Sequence, residues 1–316
     1  MVTNNTLSNI AEYYPDGAPQ TAEWREKGRL HRTDGPAEIR YYPDGTIESE
    51  EWWKDGQWHR TDGPAYISYN PNGSITTELW LQGWQLHRDD GPARIEYNTD
   101  GTIKREEWYQ NGQHHRVGGP SYTSYYEGGS VRSEAWKQDG LYHRENGPAA
   151  TDYRKNGTIS RKQWCKNGQL HRTDGPARTE YYEDGTVKKE EWWKNGRFHR
   201  TNAPTTVKYH EDGNIEREEW WQGWKCQRDD GPAITYYNQN GDVEREEWYT
   251  NRRLNRADGP ARTDYYPDGT IKREEWWKSD RLHRLDGPAV TEYNSDGSIE
   301  TESWWQHGQQ ITPPQK

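Results

Sequence analysis

Short stretches of alternating apolar and polar residues run along the chain, and turns rich in Gly, Asp, Asn and Pro separate them. Residues 37–64, AEIRYYPDGTIESEEWWKDGQWHRTDGP, show the pattern. Alternation with a period of two is typical of β-strands, and no stretch carries the 3.6-residue apolar spacing of a helix. The pattern therefore predicts an all-β chain of short antiparallel hairpins.

The same unit of 28 residues recurs along the sequence without insertion or deletion from Tyr13 onward. One Trp occupies the same place in every copy, beginning with Trp24, Trp52, Trp80 and Trp108. One Tyr does the same, beginning with Tyr13, Tyr41, Tyr69 and Tyr97. We predict an elongated open antiparallel β-meander, or solenoid, of about eleven hairpin repeats and about 22 strands, held by a ladder of these aromatic residues.

Two turn signals divide each unit. Residues 42–46, YPDGT, favour a type I turn with Gly45 in the left-handed region, which forms a G1 bulge. Asp55-Gly56 favours a two-residue type I′ hairpin. In Gly83-Trp84 and Gly223-Trp224 the Gly moves to the first central position, as a type II′ turn requires.

The predicted turns define which residues face each other across each hairpin. Across Asp55-Gly56, the register pairs Trp53 with Trp58, Trp52 with His59, and Glu51 with Arg60. Across the other loop, it pairs Tyr41 with Ile47 and Ile39 with Ser49. Cross-strand aromatic and charge pairs of this kind are expected to hold the sheet.

A longer period lies on top of the short one. The turn Gln-Gly-Trp occurs at residues 82–84 and again at 222–224, five repeats apart, and residues 41–60 match residues 181–200. We interpret residues 1–316 as a single repeat array in which a five-repeat block was duplicated at a shift of 140 residues.

Composition excludes two simple classes of protein. Only 28% of the chain is hydrophobic, which is low for a globule with an aliphatic core, yet 19 Trp and 22 Tyr are unlike a disordered segment. The net charge of −10 argues against a nucleic-acid partner. The first residues do not resemble a signal peptide, and no apolar run is long enough for a membrane span. Cys165 and Cys226 sit at different repeat positions, so we expect no disulfide between them, which fits a reducing compartment. A cytoplasmic protein without a membrane partner is therefore expected.

The motif Glu-Trp-x-x-Asn-Gly-x-x-His, followed by a strand and Asp-Gly, resembles the MORN repeat. It resembles more closely the repeats written Asn-Gly-x-Leu-His-Arg-x-Asp-Gly-Pro-Ala, which occur in bacterial, phage and giant-virus proteins and are related to YwqK-type antitoxin repeats. Arg60 stands where the MORN repeat has Gly after His. The resemblance covers essentially the whole chain and implies a hairpin scaffold that binds proteins, and in some members membrane lipids, for which no basic stripe is evident here.

Three residue patterns could carry chemistry, and each has a structural explanation. The His residues recur once per repeat, too far apart to converge on one metal ion. Adjacent residues of a strand point to opposite faces, so Glu50 and Glu51 do not share a site. The Asp-Gly turns follow from turn chemistry and do not require calcium. We therefore expect no enzyme activity, no catalytic residue, no metal and no cofactor.

One aromatic column varies between repeats, and its Trp members are our candidates for binding anchors, because Trp dominates binding hot spots. With two Trp at turn tips and one across the hairpin, the candidates are Trp53, Trp58, Trp84, Trp193, Trp221, Trp224, Trp277 and Trp305. The leading hypothesis is a non-enzymatic scaffold that binds an unidentified protein along an aromatic-rich face. The alternatives are a self-assembling filament, which Pro313-Pro314 would weaken by capping an edge, and a glycan-binding Trp-rich module.

Overall fold

The computed structural model describes residues 8–313, and it divides into two compact units, Met1–Ile159 and Ser160–Lys316. Between residues 8 and 313 every regular element is a β-strand. The expectations that concern the first seven residues and Pro314 lie outside the described residues. The single array of repeats remains a prediction from the sequence.

The first unit contains one antiparallel meander, in which each strand pairs with the strand before it and the strand after it. Its strands are Ser8–Tyr13, Pro19–Glu26, Glu38–Tyr41, Ile47–Glu51, Tyr66–Tyr69, Ile75–Leu79, Arg94–Tyr97, Ile103–Glu107, Tyr122–Tyr125, Val131–Ala135 and Ala150–Tyr153.

The second unit repeats the same arrangement. Its meander starts with a strand that crosses the boundary between the units, and its strands are Ile159–Gln163, Arg178–Tyr181, Val187–Glu191, Thr206–Tyr209, Ile215–Glu219, Ile234–Tyr237, Val243–Glu247, Arg262–Tyr265, Ile271–Glu275, Val290–Tyr293 and Ile299–Gln306. The predicted all-β meander of hairpin repeats is confirmed.

A second, smaller hairpin, which we call the side hairpin, follows in most repeats. Two short strands that flank the Asp-Gly turn form it, and in the first unit these strands are Arg29–Leu30, Trp53–Lys54, Gln57–His59, Leu81–Gly83, Gln85–Leu86, Tyr109–Gln110, Gln113–His114, Lys137–Gln138 and Leu141–Tyr142. In the second unit they are Cys165–Lys166, Gln169–Leu170, Trp193–Lys194, Arg197–Phe198, Trp221–Gln222, Lys225–Cys226, Tyr249–Thr250, Arg253–Leu254 and Gln309–Ile311. A typical repeat thus has four short strands, where two long ones were predicted.

The break in each long strand falls at the invariant Trp. The Trp52 backbone N–H donates to Ala65 O at 2.8 Å, and the His59 N–H donates to Trp52 O at 3.0 Å. The residues after Trp52 therefore pair within their own side hairpin, and the meander continues through Tyr66–Tyr69. Side hairpins of successive repeats are also linked, since the Gly56 N–H donates to Leu30 O at 2.9 Å.

All three predicted turns are present. Asp55 and Gly56 have φ of 54° and 78°, as a type I′ turn requires, whereas at Gln82-Gly83-Trp84 only Gly83, with φ of 62°, is left-handed. Gly45 has φ of 83° and its N–H donates to Tyr42 O, so the three-residue loop with a G1 bulge is confirmed.

The bulge corrects one predicted pairing. Tyr41 faces Ile47 as expected, but Ile39 faces Glu50 and not Ser49, which lies opposite Arg40. The extra residue of the bulge lies between these pairs and shifts the register by one position. The predicted pair of Trp53 and Trp58 across the Asp55-Gly56 turn is confirmed.

Small side chains, and not the invariant aromatic residues, form the most buried positions. The Ala of the Asp-Gly-Pro-Ala motif is almost fully buried, as in Ala37 (0% exposed) and Ala65 (1% exposed). Thr, Ile or Val occupies the next buried column, with Thr291, for example, 4% exposed. The low content of large aliphatic residues follows, because each repeat closes its core with a small side chain, mostly Ala, and a β-branched residue.

The invariant Trp supports an Arg guanidinium in each copy from Trp24 to Trp276, and this arrangement overturns two predicted contacts. Arg60 Cζ lies 4.0 Å from the Trp52 ring centroid, and equivalent distances in the other copies run from 3.7 to 4.2 Å. The Arg60 Nε donates to Asp62 at 3.0 Å and a terminal nitrogen donates to Pro64 O. The predicted Glu51–Arg60 pair is therefore wrong.

The His of the His-Arg motif does not stack on the Trp, because the Arg occupies that face. Instead, the ring Nδ1 accepts a hydrogen bond from the backbone of the next side hairpin, as from the Asn111 N–H to His87 at 3.2 Å and from the Asn195 N–H to His171 at 3.3 Å. The predicted His–Trp stacking is wrong, and the His residues link adjacent repeats.

The Gly of Asp-Gly-Pro-Ala leaves room for the Arg guanidinium, although Ala203 takes its place in one copy, where Arg200 still lies 3.7 Å from the Trp192 ring centroid. A Cβ at Gly63 would lie 2.8 Å from Arg60 Cζ. The motif His-Arg-x-Asp-Gly-Pro-Ala is thus one unit of packing: the guanidinium lies against both the Trp ring and the Gly, and Asp and the Pro carbonyl accept its hydrogen bonds.

The invariant Tyr links each repeat to the one before it. Tyr69 donates to Glu50 at 2.6 Å, and Tyr125 donates to Glu106 at 2.9 Å. Burial, and then the hydrogen bond to Glu106, raise the pKa of Tyr125 to about 12. The predicted ladder residues Tyr69 and Tyr97 therefore act as hydrogen-bond donors, Tyr69 to Glu50 of the Glu50-Glu51 pair and Tyr97 to Glu78, which precedes Leu79.

Candidate functional site

The variable aromatic column lies over the second Glu of each Glu-Glu pair. Trp53 Nε1 donates to Glu51 at 3.0 Å, and both side chains are 8% exposed. The same contact recurs with Trp193 and Glu191, Trp221 and Glu219, Tyr249 and Glu247, and Trp277 and Glu275. A buried carboxylate without a donor is costly, so this hydrogen bond is structural.

The residue type in the variable aromatic column changes together with the residue two positions before it, which is Glu51 in the repeat of Trp53. Where the repeat has Glu, the column has a side chain that donates to it; where the column has Leu81, Lys137 or Cys165, the partner is Leu79, Ala135 or Gln163. The two positions lie two residues apart on one strand path and therefore share a face. The variation that suggested a binding role at the sequence level is largely explained by this pairing.

Two of the candidate anchors remain exposed, and each belongs to an aromatic cluster. In the first unit, Trp84 is 68% exposed at the tip of its turn and contacts Trp53 edge to face, with ring centroids 5.5 Å apart at 67°. Trp53 in turn packs on Trp58 at 4.2 Å. We call Trp53, Trp58 and Trp84 the Trp84 cluster.

The second unit contains an equivalent arrangement. Trp224 is 51% exposed and contacts Trp193 with the same centroid distance of 5.5 Å and the same angle of 67°. Phe198 stacks on Trp193 at 3.9 Å and lies 5.5 Å from Trp221. We call Trp193, Phe198, Trp221 and Trp224 the Trp224 cluster.

Both clusters rest on a direct connection between neighbouring side hairpins. In the first unit, Gln82 pairs with His59 and Gly83 with Trp58, and in the second unit Phe198 forms a bridge to Gly223. The Gly-Trp turn thereby reaches the preceding hairpin and holds its Trp in a fixed place. An exposed Trp in a fixed position is suited to binding, because little conformational entropy is lost on contact.

The structure does not place Trp277 or Trp305 in either cluster. Both are half-buried, and their Nε1 groups donate to Glu275 and to Ser303. Trp53 and Trp193 are nearly buried, so they support Trp84 and Trp224 and offer little surface of their own. Sequence reasoning missed Phe198 and the Glu partners, although the paired variation of the two columns was a usable signal.

Glu51 has surroundings that its equivalents lack. Glu38, which is 6% exposed, lies directly opposite it on the next strand, whereas Arg178 lies opposite Glu191. Burial, and secondly the charge of Glu38, raise the pKa of Glu51 to about 7, against the lowering effects of Trp53 and Arg40.

Two other kinds of site are absent from the described residues. Between residues 8 and 313, no three His, Cys, Asp or Glu side chains are grouped as ligands of a metal ion. The same part of the chain contains no helix long and apolar enough to cross a membrane.

The fold and the two clusters define a β-hairpin repeat protein with paired exposed aromatic surfaces. A comparison with protein-family models finds no match, and neither does a comparison with curated protein sequences. Solved structures do match. One is choline binding protein F from Streptococcus pneumoniae, with 12% identity and a TM-score of 0.19 over 94% of this chain and all of that one.

Two further matches are to much longer proteins. A complex of alternansucrase with isomaltononaose has 11% identity and a TM-score of 0.21, and the Tc holotoxin pore of Photorhabdus luminescens has 11% identity and a TM-score of 0.18. The matches cover 92% and 96% of this chain, which spans only 18% of each of those proteins. Similarities this low carry no function over to this chain.

Proposed function

We propose that this protein is a non-enzymatic repeat scaffold that binds another protein, and that Trp84 and Trp224 are its main anchors. The observation that carries the proposal is the exposure of these two Trp, 68% and 51%, in the same edge-to-face geometry five repeats apart. The other repeats show that the fold does not need a Trp at this turn, since most have Gly there.

The surroundings of the two anchors agree with a protein interface. A central exposed Trp, supported by a second aromatic ring, is the usual composition of a binding hot spot. Repeat arrays present such anchors on extended surfaces. The resemblance to MORN-type repeats, which include protein-binding scaffolds, agrees with this function.

The test is quantitative capture of partners from an extract of the source organism. The amount of each specific partner captured by the variant Trp84→Ala with Trp224→Ala should be lower by roughly 30-fold or more, as expected when hot-spot Trp residues are removed. The matched control is Val117→Ala with Leu285→Ala, because these side chains are 88% and 69% exposed and apolar but belong to neither cluster.

Two results would contradict the proposal. If the double Trp variant captures the same proteins in the same amounts, the two Trp are not anchors. If the purified chain instead forms concentration-dependent polymers in sedimentation, or binds on a glycan array through the same Trp residues, self-assembly or glycan binding replaces protein binding.

A further inference from the structure

The two clusters share one scaffold but differ in charge. At each of four equivalent exposed positions, the Trp224 cluster is more positive than the Trp84 cluster by one charge unit, against a difference of opposite sign at Arg29, whose equivalent is Gln169. The paired positions are Asp55 and Asn195, Gln57 and Arg197, Gln85 and Lys225, and Gly112 and Arg252. At a fifth position the first unit has Gln113 and the second has Arg253, but the charge of Arg253 is offset by Asp280, which lies 3.9 Å from it.

The added cations lie around the exposed Trp of the second unit. Arg197 faces Lys194 across its hairpin, and Lys225 follows Trp224 directly and faces Gln222. Lys194, Arg197 and His199 line an open depression of about 520 Å³ together with Phe198 and Gly223 of the cluster. The Phe198 ring of the cluster and two cations, Lys194 and Arg197, thus border one depression.

These cations are not used by the fold. Within residues 8–313, Lys194, Arg197 and Lys225 are exposed and have no carboxylate partner. In contrast, the Arg residues of the His-Arg motif bind their own Asp, as Arg172 binds Asp174 at 2.9 Å. Exposed unpaired cations in a chain of net charge −10 form a local positive field that favours an anionic ligand.

Arg252 gives an independent indication. It occupies the second central position of a type I′ turn with φ of 70°, a conformation that side chains with a Cβ adopt at a cost, and most repeats have Gly there. Its Nε donates to Trp224 O at 2.6 Å. The strained Arg therefore holds the turn that presents Trp224 and adds a guanidinium beside it.

We propose that the Trp224 cluster binds an acidic peptide segment that contains an aromatic side chain, and that the Trp84 cluster does not share this preference. The guanidinium and ammonium groups would bind carboxylates, since Arg matches a carboxylate with two parallel hydrogen bonds. The exposed Trp224 ring would contact the aromatic side chain of the peptide. This inference rests on the proposed function and specifies one of its two surfaces.

The experiment uses the full chain and a random copolymer of glutamate and tyrosine as the probe, with binding measured by calorimetry. Binding should be clear at about 50 mM salt and much weaker at about 300 mM, where exposed charges are screened. Arg197→Gln with Lys225→Gln, which introduces the residues of the Trp84 cluster, should weaken binding by roughly tenfold. Circular dichroism should be unchanged.

The reciprocal variant tests sufficiency. In a Trp224→Ala background, which should bind the copolymer weakly, Asp55→Asn with Gln57→Arg and Gln85→Lys should restore binding at the Trp84 cluster. All three residues occur at the equivalent places of the second unit, so the fold is expected to accept them.

Three outcomes would overturn the inference. They are no binding of the copolymer, equal binding after the charge-removing substitutions, and equal or tighter binding of polygalacturonate, which carries carboxylates but no aromatic group. If the copolymer fails to bind while partner capture still depends on Trp84 and Trp224, the proposed function stands and only this inference fails.

Discussion

Glu51 shows how one residue in a repeat can differ chemically from its equivalents. The fold is the same in every copy, but the residue opposite this carboxylate is Glu38 in one repeat and an Arg in others, such as Arg94 opposite Glu107. Both Glu38 and Glu51 are more than nine-tenths buried. The chain keeps two carboxyl groups side by side at a place where a salt bridge would fit.

The raised pKa of Glu51 predicts a pH dependence of stability. Its pKa is about 7 in the fold against 4.5 in the unfolded chain, so the folded state holds a proton that the unfolded state releases between these values. The free energy of unfolding should therefore fall as pH rises from about 4.5 to about 7. Glu51→Gln should remove this loss. Its free energy of unfolding relative to wild type should therefore increase by on the order of 3 kcal/mol as pH rises from about 5 to about 8, as measured by urea unfolding.

Glu191→Gln is the matched control. Glu191 lies 3.8 Å from Arg178 and bonds to Trp193, so its replacement removes an ion pair. It should destabilise the fold and show no gain at the higher pH. Parallel curves for wild type and Glu51→Gln across this range would contradict the assignment.

At the scale of the element, a side hairpin that follows a buried Glu depends on the aromatic donor that covers this Glu. Glu247 is 8% exposed and accepts a hydrogen bond from Tyr249 at 3.1 Å. In another copy, Leu79 and Leu81 occupy the same two positions without a change in register. The pair is therefore expected to be replaceable as a unit but not one member at a time.

A double-mutant cycle measures this dependence. Tyr249→Leu alone should be costly because it leaves the buried Glu247 carboxylate with the longer 3.5 Å hydrogen bond from Tyr236, whereas Glu247→Leu with Tyr249→Leu should be less costly than the sum of the single changes. The coupling free energy is expected to be about 1–3 kcal/mol. Glu191→Leu with Tyr249→Leu, in separate repeats, is the additive control, and an equally additive result for the first pair would refute the coupling.

The sequence was sufficient to predict the all-β hairpin meander, the period and all three turn types, because Gly, Asp and Asn have sharp backbone preferences. It did not predict that each long strand is divided in two. It was less informative about side-chain partners. The Glu51–Arg60 contact follows from an idealised register, but Arg60 has a better position on Trp52 with Asp62 beside it. At the candidate site, the sequence proposed eight Trp without distinguishing among them, and only contact geometry separates the exposed Trp84 and Trp224 from those that cover a Glu.

At the scale of the whole molecule, the contacts of a repeat are with its immediate neighbours. Tyr42 donates to Tyr69 O and Tyr69 donates to Glu50, so each link joins adjacent repeats. Such arrays behave as chains of units coupled to their nearest neighbours. A local defect should therefore remain local.

Hydrogen exchange tests this behaviour in the full chain. Trp52→Ala removes the surface that supports Arg60, and amide exchange should become at least about tenfold faster in Glu38–Tyr41 and Tyr66–Tyr69 but not in Val243–Glu247. Trp84→Ala, which removes an exposed side chain, should leave exchange outside its own turn unchanged. Uniform acceleration over the whole chain would show that the repeats unfold as one cooperative block.

The Gly-Trp turn has a consequence for how such a chain can evolve. Replacing Asn-Gly by Gly-Trp changes the turn from type I′ to type II′ and keeps the strands in register. A hairpin can thus gain a projecting aromatic group through changes in two adjacent codons. Duplication of a block of repeats then places the same group at a second position in the chain. Later substitutions of the flanking residues can then give each of the two positions its own ligand, while the sheet that supports both positions stays unchanged.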